Sequence, residues 1–149
     1  MAAIMLIIAT TTRRSGFTLI ELLVVVAIIS IIAAIGFVAY SGYVEAAKKK
    51  TAENAMMQLS LAQTEYYSEN SSYFGAGSGT STDCSPSPTT SDAAESALIE
   101  GSELFTNDLG YNVCIIQNNS KNYYIVSEKD GGGCKIKLDG KQVFTREGC

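Results

Sequence analysis

Residues 16–40 read GFTLIELLVVVAIISIIAAIGFVAY, and the fold turns on the reading of that run. From Phe17 to Tyr40 there are 24 residues with one ionisable side chain, Glu21. A helix of that length covers roughly 36 Å at about 1.5 Å of rise per residue, and a bilayer's hydrocarbon core is about 30 Å thick. Helices of soluble cores seldom stay apolar on every face for so long, so the run reads as a membrane span. Glu21 is its anomaly. A carboxylate deep in a bilayer costs about 2.5 to 3.5 kcal/mol on insertion scales, so it is protonated, snorkels to the headgroups, or faces a partner.

The residues in front decide among these. Arg13, Arg14, Ser15 and Gly16 precede Phe17, giving the order R-R-S-G-F-T-L-I-E-L-L-V-V-V-A-I-I. This order resembles the amino terminus of type IV pilins. The resemblance implies that a dedicated inner-membrane prepilin peptidase and methyltransferase cuts between Gly16 and Phe17 and N-methylates Phe17. It implies also that Glu21 is the family glutamate. When such helices pack side by side in a filament, a buried carboxylate needs a cation, and the resemblance supplies the amine of Phe17 on an adjacent subunit. Leaving the charge unpaired costs several kcal/mol, so the pairing sets the register of assembly.

Residues 1–12 fit this pattern less well, being apolar from Met1 to Ala9 where pilin leaders are short, polar and basic. A secretory signal would place its basic residues before its apolar region, whereas here they follow it. Met5 is a second candidate start, and both choices keep the cut site. Arg13 and Arg14 favour a cytoplasmic amino terminus. Lys48, Lys49 and Lys50 lie on the other side of the span and compete with them, so charge alone leaves the orientation open.

All four cysteines, Cys84, Cys114, Cys134 and Cys149, lie beyond the span, and the chain has no histidine. An even number of cysteines in a small domain points to two disulfides and an oxidising compartment. A metal site is disfavoured by the absence of histidine and of C-x-x-C spacing. Four cysteines allow three pairings, and sequence does not choose among them. The pilin resemblance implies a bond between Cys134 and Cys149, which leaves Cys84 with Cys114.

Many pilins carry a proline where this chain has Val38. That proline helps the helix unwind in the filament, since it removes a donor and clashes with the preceding turn. Its absence puts local unwinding in doubt, although Gly36 and Gly42 each lower helix propensity by about 1 kcal/mol. From Gly42 to about Ser68 the helix is expected to continue with an apolar stripe of Val44, Ala47, Thr51, Ala55, Leu59, Ala62 and Tyr66. Glu45, Lys49, Glu53, Gln63 and Glu69 fall elsewhere, and the lysine run reads as a solvated face or as charges for intersubunit pairing.

Residues 71–92 form a Ser, Thr, Gly and Pro-rich surface loop. A short helix follows from Asp92 to Glu100, with Asp92 and Glu95 as its capping box and Gly101 at its exit. Sequons at Asn70 and Asn118 are too weak a pattern to carry a role. From Leu109 the period becomes two, with strands at 111–117, 123–128, 134–138 and 141–145. Asp139-Gly140 reads as a two-residue hairpin turn, and Asp130 to Gly133 as a glycine turn. Short connections make an antiparallel meander, with Val113, Ile115, Tyr124 and Val126 facing the helix stripe.

The expected class is α+β, with a long amino-terminal helix packed on a small antiparallel meander. The expected organisation is a leader at 1–16, a transmembrane and filament-core helix at 17–41, its amphipathic continuation at 42–69, and a disulfide-bonded head at 70–149. Such a head is of the size at which disulfides become useful supports.

Eleven basic against fifteen acidic side chains give a net charge of −4. Loss of Arg13 and Arg14 leaves nine against fifteen, or −6, a poor balance for general nucleic-acid binding. No catalytic set is present, and no cofactor or metal is expected. The resemblance implies a structural subunit anchored in the inner membrane with its carboxy terminus periplasmic. It then polymerises with copies of itself, through the inner-membrane pilus assembly machinery, into an extracellular pilus for adhesion, twitching motility or DNA uptake. The alternatives are a type II secretion pseudopilin in a short periplasmic fibre and a membrane-anchored binding module that never polymerises. Two expected disulfides and the absence of a pseudopilin-like calcium loop favour the pilin.

Overall fold

The computed structural model describes residues 16–75, 79–119 and 121–149, with backbone alone at Val38. The expected leader up to Ser15, Ser120 of the second sequon and the side chain of Val38 lie outside the described residues. Helix α1 runs Leu19–Asn70 and α2 runs Pro88–Leu98. Strands β1 Tyr111–Asn119, β2 Asn122–Lys129, β3 Lys135–Asp139 and β4 Phe144–Glu147 follow. They form one sheet in the order β1-β2-β3-β4, every neighbour antiparallel. The α+β arrangement expected from sequence is the one observed.

The chain divides into two compact units, 1–42 and 43–149, and α1 begins in the first and ends in the second. In the first unit the apolar side chains of α1 are exposed on all sides, and the helix continues through Gly36 and Gly42 without a break. By length and composition α1 can cross a membrane.

In the second unit the core lies between α1 and one face of the sheet. Ala52, Ala55, Met56 and Leu59 pack against Val113, Ile115, Tyr123, Ile125, Ile136 and Leu138. The small residues Ala52 and Ala55 let the helix backbone approach the sheet, and each large aliphatic side chain buried here contributes about 1.5 to 3 kcal/mol. The buried face of α1 is rotated from the expected stripe: Ala47 and Thr51 are exposed, whereas Glu53 and Gln63 are buried. Both polar residues have partners that sequence periodicity does not encode. Gln63 Nε2 donates to the Phe74 carbonyl at 2.9 Å, and the Phe74 amide donates to Gln63 Oε1 at 2.8 Å. Glu53 accepts from Lys50 and Arg146.

The cross-strand rows explain why Arg146 reaches Glu53. Val113, Ser127, Ile136 and Arg146 lie opposite one another in succession, so Arg146 shares the face that carries Val113 and Ile136. On β2 the expected parity fails by one residue. Tyr123 and Ile125 face α1, while Tyr124 and Val126 pack on the other face with Cys84, Cys114 and Ile116. Both faces of β2 are apolar, so alternation gave no means of choosing, and pairing of Ile115 with Ile125 fixes the choice.

Helix α2 starts earlier than expected. Its N-cap is Ser87, whose Oγ accepts from the Thr90 amide at 3.2 Å while Thr90 Oγ1 accepts from the Ser87 amide at 2.8 Å. Pro88 occupies the first turn, where its missing donor costs nothing. Asp92 is therefore an interior residue of α2. Glu95 is buried and accepts from the amides of Leu104 and Phe105 at 2.8 and 2.7 Å, which holds the chain leaving the helix. Ser91 takes the Val113 amide at 2.9 Å, and Thr90 donates to the Val113 carbonyl at 2.7 Å, so α2 covers the outer edge of β1.

The β3–β4 turn also differs from the two-residue hairpin. Asp139 Oδ1 accepts from the amides of Lys141 and Val143 at 2.9 and 2.8 Å, and the positive φ falls at Gln142, 63°. The side-chain acceptor builds a longer turn, and β4 begins at Phe144. The β2–β3 turn has Gly131, Gly132 and Gly133 at φ of 81°, 83° and 103°, a path closed to most other residues.

Candidate assembly site

Gly16, Phe17 and Thr18 precede α1, and Thr18 starts it. Thr18 Oγ1 accepts from the Glu21 amide at 3.3 Å, and the Thr18 carbonyl accepts from the Leu22 amide at 3.2 Å. This is N-cap geometry with Glu21 at the third helical position, where a carboxylate meets the positive end of the helix dipole. The T-x-x-E spacing of Thr18 and Glu21 is the local sequence signal for this cap, separate from the motif that surrounds it.

Phe17 is 73% exposed, and Glu21 has no cationic partner among the described residues of its own chain. Around them Leu19, Ile20, Leu22 and Leu23 are exposed by 57% or more. Farther along, Ser30 donates to the Val26 carbonyl at 2.7 Å, which removes its polarity from the surface. The first unit thus presents an apolar rod with one carboxylate at its tip. Such a surface is matched by lipid or by other rods of the same kind, and the carboxylate by a cation.

In the second unit the cysteines form two bonds. Cys84, in the loop before α2, is joined to Cys114 on β1 across a Cα separation of 6.0 Å, and Cys134, before β3, to Cys149 across 4.5 Å. Gly148 lies so close to the Gly133 carbonyl that a Cβ there would stand 1.9 Å from its oxygen, so glycine is needed for the terminus to reach Cys134. The lysine run is partly engaged within the chain: Lys48 donates to the Asp108 carbonyl at 2.5 Å and Lys50 to Glu53 at 2.8 Å. Glu45 is bonded to Lys129, whose hydrogen bond and charge hold the carboxylate below its ordinary range.

Among the described residues no group of three or more His, Cys, Asp and Glu is placed to hold a metal ion. Residues 11–37 match the family model of the prokaryotic N-terminal methylation motif. Over 56 residues the chain is 46% identical to the fimbrial protein EcpC of Eikenella corrodens, a match covering 38% of this chain and 37% of that protein. The chain thus spans little more than a third of this curated relative's length. No solved structure matches it significantly. The methylation motif and a helix long and apolar enough to cross a membrane together point to membrane anchoring. Methylation motif, fimbrial relative and α+β fold together support a type IV pilin.

Proposed function

We propose that this chain is a structural subunit of a type IV pilus, cut after Gly16, methylated at Phe17 and polymerised through the first half of α1. The observation that carries the proposal is the apolar rod with its single carboxylate, Glu21, which has no cationic partner among the described residues of its own chain. In the membrane the rod is solvated by lipid, with the carboxy-terminal head in the periplasm. In the filament it is solvated by neighbouring rods, and Glu21 pairs with the Phe17 amine of an adjacent subunit, so that a misregistered subunit buries an unpaired charge.

On this reading residues 1–16 are the leader, 17–41 the filament core, 42–69 the helix that carries the head, and 70–149 the rest of the head. The prepilin peptidase and methyltransferase and the inner-membrane assembly machinery are its processing and assembly partners. The extracellular filament would serve adhesion, twitching motility or DNA uptake.

The test is intact-mass analysis of filaments sheared from cells. Abundant chain lacking residues 1–16, methylated at Phe17 and with all four cysteines oxidised, is the expected result. Recovery only from the membrane fraction would overturn it. A Glu21→Ala chain is expected to be processed normally and to be lost from filaments, and wild-type levels there would remove the pairing.

A further inference from the structure

Two patches of the head carry charges outside any ion pair and differ in sign. Lys50, Lys129, Lys135, Lys137 and Arg146 are all in ion pairs. Among the described residues Lys48, Lys49, Lys121 and Lys141 are in none; the first two lie on α1, whereas the last two sit on turns at one end of the sheet, Lys121 between β1 and β2 and Lys141 between β3 and β4. The two turns adjoin: the Gly140 amide donates to the Tyr123 carbonyl at 3.1 Å. Beside Lys141, Val143 is 57% exposed. Asp139 of the same turn accepts from the Lys141 and Val143 amides, and the two amines against its one carboxylate leave this end of the head net basic, with an apolar tip.

The opposite character lies between α1 and α2. A cavity of about 630 Å3 opens there, floored by Leu61, Tyr66 and Leu98 and rimmed by Glu65, Glu69 and Glu100, whose carboxylates form no ion pair. Leu61 is 63% exposed. None of the residues of the basic tip lines this groove in its own chain.

Subunits that each carry −6 repel one another unless their residual cations are set against their residual anions. Tip and groove are different patches of one surface, so their contact is heterologous, and a heterologous contact that does not close into a ring grows a helical filament. We infer that the β3–β4 turn of one copy, Lys141 with Val143, seats in the groove between α1 and α2 of the next copy. Val143 meets Leu61 and Leu98, and Lys141, with Lys121 behind it, meets Glu65, Glu69 and Glu100. The inference rests on the filament reading above and names the contact between heads that accompanies the packing of helices.

The experiment is zero-length carbodiimide coupling of amines to carboxylates in filaments sheared from cells, followed by peptide mapping of the species of dimer mass and above. The expected result is a bond from Lys141 or Lys121 to Glu65, Glu69 or Glu100. Lys141→Glu is expected to lower the yield of coupled dimer by at least about tenfold, since like charges then face each other. Adding Glu65→Lys and Glu69→Lys to it is expected to restore coupling. All three positions are exposed, and oxidised-cysteine mass and circular dichroism of each variant report that the head still folds. Abundant filaments whose couplings join other residues, or a Lys141→Glu yield equal to that of wild type, would overturn this contact and leave the filament reading standing. Absence of the chain from filaments would overturn both.

Discussion

Arg146 of β4 donates from Nε to Oε1 of Glu53 on α1 at 2.6 Å, across 93 residues of sequence. Glu53 is buried, and the Arg146 hydrogen bond outweighs that burial, holding its carboxyl below the ordinary value of 4.5. A group whose folded pKa is lowered stabilises the fold above its unfolded pKa, and that contribution disappears as pH falls through the lowered value. The full chain in detergent should therefore exceed Glu53→Gln in stability at neutral pH, with the margin shrinking as pH falls below the ordinary carboxylate range. Urea melts of both proteins at several pH values measure it, and a pH-independent margin would show that the charge of Glu53 is immaterial.

Gln63 satisfies both backbone groups of Phe74 from a fully buried position. Gln63→Met keeps much of the volume and removes both bonds, leaving a donor and an acceptor unpaired. Each buried polar group so orphaned costs about 1 to 3 kcal/mol. A urea melt should show a loss of at least about 2 kcal/mol, and a loss below half of that would mean that water replaces the amide.

The two disulfides differ in access. Cys84 and Cys114 are both buried, whereas Cys149 is exposed at the terminus. Mild reduction followed by alkylation and mass mapping should label Cys134 and Cys149 first. The bonds span 30 and 15 residues of sequence, and loops of those lengths predict losses of roughly 3 to 4 kcal/mol when either pair is replaced by alanine. Labelling of Cys84 and Cys114 first would mean that the second apolar cluster opens before the terminus does.

Ser91 ties α2 to the edge of the sheet through the Val113 amide at 2.9 Å. Ser91→Ala should cost about 1 to 3 kcal/mol by leaving that amide without a partner. Hydrogen exchange at Val113 offers a local readout, which should quicken in the variant while Ile125 on the neighbouring strand stays protected.

Much of this protein is local and therefore legible in the sequence. An uninterrupted apolar run has to be a helix surrounded by apolar material, because period and length leave no other way to satisfy its backbone. Short strands with polar turns between them have to form a meander, since no connection after Leu109 is long enough to cross over. T-x-x-E at Thr18 and S-P at Ser87 to Pro88 are local signals as well, and the cap at Ser87 lies five residues before the Asp92 that the capping-box pattern points to.

The rest depends on pairs far apart in sequence. Alternation alone puts Tyr124 and Val126 on the α1 face because β2 is apolar on both faces, and its register with β1 turns them to the other. Periodicity puts Glu53 and Gln63 off the apolar stripe because it counts polarity without seeing partners, and the distant ones lie on β4 and in the loop at Phe74. Asp139-Gly140 has the composition of a hairpin dipeptide, and a side chain that replaces the next strand's backbone as acceptor lengthens the turn without changing that composition. The rod and the sheet are legible in the order of residues because their stability comes from neighbours a few residues away. The buried polar contacts that set how α1 meets the sheet depend on groups brought together only when the chain has folded.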